Sequence, residues 1–170
     1  MIEIRTYVPE DTEEIIKLVL HCQNDGTRPY VTVDDQPELL HIQEKYLDSG
    51  GNFWVAVDQG KIAGSIGLMN CGNGCGVLKK FFVYEPYRGE PCHLGRQLYA
   101  MLLDFAGKQN IKNLILDTPK NTARAHKFYE KAGFQKIEKD CLSVSYDYPY
   151  EDSDFYFLEL SAPTKVCNEG

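Results

Sequence analysis

The chain has 170 residues, 43% of them hydrophobic and 12% aromatic, and a formal net charge of −7 at pH 7. This length and apolar content predict one domain with a sizeable core. The acidic balance excludes a nucleic-acid binder, which needs a basic face, and suits a cationic partner better.

No apolar run approaches the ~18 residues of a membrane span, and Met1-Ile2-Glu3-Ile4-Arg5 runs directly into charged sequence. A cytoplasmic protein with no membrane partner is therefore expected. The six cysteines at 22, 71, 75, 92, 141 and 167 are scattered, which predicts free thiols. Cys71 and Cys75 form a close pair with no nearby His or further Cys, so no metal site is expected.

In chain order, residues 2–8 alternate as an opening strand that Pro9 ends. Asp11-Thr12-Glu13-Glu14 has the form of a capping box, and Ile15, Ile16, Val19 and Leu20 make a helical stripe behind it. Residues 23–35 lack periodicity and read as a loop. A second helix is expected from Gln36, with Pro37 at the favoured first position and Leu39, Leu40, Gln43, Tyr46 and Leu47 following; Gly50-Gly51 stops it.

Strands are expected over 53–57, 61–69 and 76–83, joined by turn-rich segments that predict antiparallel hairpins. Leu94, Leu98, Met101, Leu102, Phe105 and Ala106 then mark one face of a helix of about three to four turns. A strand over 111–117 follows, and strand, helix, strand implies a parallel pair. Ala125, Phe128, Tyr129 and Ala132 share a face of a last helix, which Gly133 is placed to end in the left-handed conformation. Strands over 135–145 and 155–160 finish a domain of residues 1–160, and residues 161–170 read as a flexible tail.

The chemistry gathers at the start of the helix at Leu94. The first amides of a helix have no internal partner and carry roughly half a positive charge, so a glycine-bearing loop entering there is a candidate anion site. Arg88 and Arg96 bracket that turn, and after Gly95 no acid appears before Asp104. An anion such as a diphosphate would supply the missing negative charge. The alternative is a turn with two solvated arginines.

Val83-x-x-x-Tyr87-Arg88-Gly89 followed by Leu94-Gly95-Arg96-x-Leu98 resembles the acetyl-CoA pyrophosphate loop of the GNAT superfamily of N-acetyltransferases. Asn121-Thr-Ala-Arg-Ala125-His-Lys-Phe128-Tyr129-Glu-Lys-Ala-Gly133-Phe134 resembles the same superfamily's later motif. The first match departs from the pattern R/Q-x-x-G-x-G/A: His93 holds the inner glycine position and Glu90 the Arg/Gln position, as if the loop were about two residues longer.

The resemblance implies a GNAT-type α/β fold, a mixed and mostly antiparallel sheet of six to seven strands with helices on both faces. It implies acetyl-CoA as cosubstrate, contacted by Phe82, Val83, Arg88, Gly89, His93, Leu94, Gly95, Arg96, Asn121 and Phe128. Tyr129 matches the tyrosine that acts as general acid toward the departing thiolate. Asn121 is equally a candidate helix N-cap.

The base is open between Glu85, Asp117, a residue of the late hairpin and a water relay. From Lys139 to Lys165 the chain is acidic and tyrosine-rich with no base between, which makes Asp147, Tyr148 and Glu151 candidates for holding a small cationic amine. The expected activity is direct acetyl transfer to that amine. The rivals are a protein or peptide N-acetyltransferase and a non-catalytic acyl-CoA-binding module, and the oligomeric state is left open, a homodimer included.

Overall fold

The computed structural model describes residues 1–160, so the tail expected at 161–170 lies outside the described residues. Seven strands form one sheet: β1 (Ile2–Thr6), β2 (Asn52–Asp58), β3 (Lys61–Asn70), β4 (Cys75–Val83), β5 (Asn113–Pro119), β6 (Gln135–Ile137) and β7 (Ser153–Glu159). Their order is β1-β2-β3-β4-β5-β7-β6. Every neighbouring pair is antiparallel except β4 and β5, which the crossover helix α2 (Leu94–Lys108) makes parallel.

Alternating strand residues divide the core between two faces. Leu78, Val83, Leu114 and Leu116 pack with Leu94, Leu98 and Leu102 of α2 and Tyr129 of α3 (Ala123–Lys131) on one face. Phe53, Val55 and Ile62 pack with Ile15, Leu18 and Val19 of α1 (Thr12–Gln23) on the other. The hairpin from β2 to β3 turns through Gln59 and Gly60, both at positive φ, which is the twist a two-residue hairpin needs. Gly133, at φ +100°, ends α3 as expected: Phe134 N–H bonds to Tyr129 O and Gly133 N–H to Glu130 O.

Four local expectations need correction. No continuous helix runs from Gln36: a 3₁₀ turn (Pro37–Leu40) and a π turn (Gln43–Leu47) are separated at His41, whose φ −136°, ψ 44° is not helical. Burial of Leu39, Ile42 and Tyr46 overrides the helical stripe there. Nor does Asp11 cap α1 with its side chain. Its carboxylate takes Arg5 in two bonds of 2.8 and 3.0 Å and the Val8 amide at 2.9 Å, while Glu14 accepts from Ile62 N–H.

The strand expected over 135–145 stops at Ile137, where a 3₁₀ turn over Lys139–Cys141 leads into an irregular segment. At α3 the N-cap is Thr122 rather than Asn121. Thr122 Oγ1 is spent on Pro119 O at 2.7 Å and on Thr118 Oγ1, and Asn121 lies one residue outside, exposed.

Two features shape the centre of the sheet. β4 and β5 pair over only three positions, Cys75↔Asn113 to Val77↔Ile115, and then part, while β5 stays with β7 over its whole length. β4 also carries a bulge. Ser65 faces Phe82 and Gly67 faces Lys79, so β4 spends one residue more than β3, with Lys80 at φ +53°. The extra residue breaks the alternation, and Lys79 and Lys80 emerge on the same face, both reaching Glu38.

Candidate functional site

Past Val77 the β4 edge has no strand beside it, and a wedge-shaped gap opens toward the carboxyl ends of β4 and β5, where ligands collect in such sheets. The gap has two differently built sides.

On the helix side, α2 enters from the loop that follows β4. Gly89 (φ +63°) and His93 (φ +46°) turn the chain, and His93 N–H closes on Gly89 O at 2.6 Å. His93 is the N-cap but contributes no side-chain bond. Among the described residues the amides of Leu94, Gly95 and Arg96 have no hydrogen-bond partner, and the exposed Arg96 guanidinium has no ion pair. These are the unspent donors that an anion takes.

Arg88 behaves otherwise. Its Nε donates to Val83 O at 2.8 Å and its Nη2 lies 3.7 Å from Cys22 Sγ, which itself rests on Val83 O. It clamps the end of β4 rather than standing free beside Arg96. A cation that sequence reading missed is Arg124, exposed in the first turn of α3, with no ion pair among the described residues. Burial and then the nearby Arg88 charge hold its pKa below the usual arginine value.

Tyr129 and Phe128 stand together in an aromatic cluster with Phe81, Tyr99, Phe134 and Tyr156, at ring-centroid distances of 5.4–6.5 Å. The Tyr129 hydroxyl has no hydrogen-bond partner among the described residues. Burial first, then the Asp117 charge, pushes its pKa well above the ordinary phenol value, so it stays protonated throughout the neutral range. Tyr99 also has a buried hydroxyl without a partner and is pushed up to about 12 by burial.

The opposite side is a polar network. Lys80 Nζ is 2.7 Å from Gln36 Oε1 and 3.1 Å from Glu38 Oε2; Lys79 Nζ donates to the Asp147 carbonyl at 2.6 Å and lies 5.4 Å from the Tyr146 ring centre. Tyr146 Oη donates to Asp117 Oδ1 at 2.9 Å. Burial raises the Asp117 pKa, against the pull of Lys79, the Tyr146 hydrogen bond and Lys80. Asp117 is half-buried, at the parting of β4 and β5. Glu85, the other carboxylate candidate, is exposed just past the end of β4 and pairs with the exposed His21.

The acidic segment does not present its acids to the gap. Asp147 and Glu151 are exposed, and Tyr148 packs on Phe155 and under Lys139. The buried Asp154 is held by Lys120 and Lys136. What this segment sends inward is Tyr146 and Tyr150. No hydrophobic periodicity marked either tyrosine.

A parted parallel pair with free helix-start amides and a protonated phenol on one side, and the half-buried Asp117 on the other, is an arrangement able to hold the phosphates of a carrier beside a proton donor and a carboxylate. The model of the acetyltransferase (GNAT) family matches residues 16–134, and the chain belongs to that family.

Over 94% of its length the chain superposes on 98% of an acetyltransferase from Streptococcus agalactiae, with 36% identity and a TM-score of 0.88. It superposes equally on 99% of a GNAT-family acetyltransferase from Staphylococcus aureus, with 33% identity and a TM-score of 0.88. Among curated relatives, the N-acetylaspartate synthetase of Xenopus tropicalis is 29% identical over 102 residues, covering 59% of this chain and 37% of that protein. The chain thus spans between about a third and about half of the curated relatives it matches. Among the described residues no helix is long and apolar enough to cross a membrane.

Proposed function

We propose that this chain is an N-acetyltransferase that moves an acetyl group from acetyl-CoA directly to the amine of a small acceptor, which arrives as its ammonium cation. The observation that supports the reading is a protonated phenol, Tyr129, packed on the α2 face of the sheet, with Asp117 just past the point where β4 and β5 part. Acetyl-CoA supplies the acyl group as an activated thioester. Its diphosphate suits the free amides of Leu94, Gly95 and Arg96 together with the Arg96 and Arg124 guanidiniums. The unpaired β4 edge at Phe82 and Val83 offers main-chain groups beside the carrier's arm, and a β4 amide aimed at the acyl oxygen would be worth about 2.7–4 kcal/mol in the transition state.

Asp117 takes a proton from the acceptor ammonium, and the freed nitrogen attacks the acyl carbon. The new C–N bond gives a tetrahedral intermediate; as its C–S bond breaks, Tyr129 donates its hydroxyl hydrogen to the departing sulfur, and the second proton of the attacking nitrogen replaces the one Tyr129 has given up. Asp117 returns its proton to solvent, so the products are an amide and a free thiol. Being neutral throughout the working range, Tyr129 needs no tuning for this role, and the pH dependence falls on Asp117.

The test is Tyr129→Phe, followed by thiol release with an amine panel and by calorimetry with acetyl-CoA. Turnover is expected to fall about 100-fold while acetyl-CoA affinity stays within about twofold. Equal turnover in the variant would remove the acid role.

A further inference from the structure

Near the Tyr146 that bonds Asp117, Tyr150 and Arg28 pack on each other with buried donors that are not fully satisfied among the described residues. Tyr150 is 6% exposed and its hydroxyl has no hydrogen-bond partner among the described residues. Beside it stands Arg28, whose guanidinium carbon is 6.0 Å from the Tyr150 ring centre and whose side chain is 12% exposed. The Arg28 Nε is likewise buried and unpartnered. Unsatisfied buried donors are uncommon, and two that converge need an explanation.

The nearest carboxylates do not supply one. Asp25 reaches Arg28 Nη2 only at 3.8 Å and gives its other oxygen to the Thr27 amide and hydroxyl. Asp35, whose charge acts on the Tyr150 hydroxyl, is bonded to the Thr32 amide. The Arg28 charge, like that of Arg88, acts on the Cys22 thiol, and Cys22 Sγ rests on Val83 O at the end of β4. Tyr146, on Asp117, and Tyr150, beside Arg28, are four residues apart in one segment, which places their Cα atoms no more than about 14 Å apart.

Resting on the transferase reading above, we propose that the acceptor is an amino carboxylate: its ammonium lies at Asp117, and its carboxylate is held by Arg28 and Tyr150. A guanidinium edge and a phenol hydroxyl give two donors, which match the two oxygens of a carboxylate. The span between the two tyrosines fits one small molecule with an amine at one end and an acid at the other.

The experiment compares 4-aminobutyrate and β-alanine, each against its own carboxamide, with acetyl-CoA and the full chain, read by thiol release; n-propylamine and a diamine complete the panel. In the wild type kcat/KM for the acids is expected to exceed that for the amides by about 10- to 100-fold, mostly through KM. Arg28→Gln brings the ratio to about one, Arg28→Lys restores part of it, and Tyr150→Phe lowers it by a smaller factor. Because a ratio is measured, partial unfolding of a variant does not move it.

A wild-type ratio near one, or a ratio that survives Arg28→Gln, overturns the inference. Acetylation confined to the alkylamine or diamine also overturns it and leaves the transferase reading standing. An enzyme that acetylates no member of the panel while still binding acetyl-CoA overturns both.

Discussion

Tyr146→Phe tests the assignment of Asp117 as base through a shift of known sign. The Tyr146 hydroxyl donates to the ionised carboxylate at 2.9 Å and so lowers its pKa, against the burial that raises it. Removing the hydroxyl leaves the fold's other contacts to Asp117 in place and makes the carboxylate keep its proton to higher pH. The base must be ionised to act, so activity is lost as pH falls through that pKa, and the acid limb of the rate profile moves upward in the variant.

A hydrogen bond to a charged group contributes about 1.5–3 kcal/mol, and because Asp117 is only half-buried the low end applies. That is about a tenfold gain in proton affinity. The assay is kcat/KM from pH 5 to 9 at saturating acetyl-CoA for the wild type, Tyr146→Phe and Asp117→Asn. The acceptor's own titration is common to all three. Tyr146→Phe should lose about tenfold at the acid end and recover most of it at the alkaline end. Asp117→Asn should lose about 100- to 10,000-fold near neutral pH and keep only the acid limb that belongs to the acceptor's own titration. A Tyr146→Phe enzyme that slows equally at all pH values, or whose limb moves down, refutes the assignment.

Three further outcomes are expected. Arg96→Ala weakens acetyl-CoA about tenfold by calorimetry, with a difference that shrinks as salt is raised, since Arg96 is exposed. Gly133→Ala costs about 1–2 kcal/mol because φ +100° is unfavourable for a residue with a Cβ, and calorimetric Tm should fall about 2–8 °C. Neutralising Asp147, Glu151 and Asp152 together changes the amine KM by less than about twofold, because these carboxylates face solvent and are screened.

Much of the fold was legible because local and global preferences agree. The three strands from 52 to 83, the stripe of α2 and Gly133 at the end of α3 each have one chemistry pointing to one structure. The failures share a cause, a distant partner that outcompetes a local one. Arg5 takes the carboxylate expected to cap α1, and Val83 O takes the arginine expected to wait for an anion. Lys79-Lys80 reads as an unremarkable strand pair. Only the bulge, set by the register with β3, turns both lysines onto Glu38. Arg28 and Tyr150 lay in stretches without periodicity, and their proximity has no signal along the chain.

The narrow ladder between β4 and β5 divides the protein's cooperativity. Strands β1 to β4 and strands β5 to β7 hold together by three residue pairs along the sheet, so amides on the two sides of that seam should exchange with solvent as separate units. A chain-like ligand lying in the gap would act as an added strand and merge them. Occupancy would then be written in the exchange pattern of residues far from any contact, as slow exchange spreading across the whole sheet.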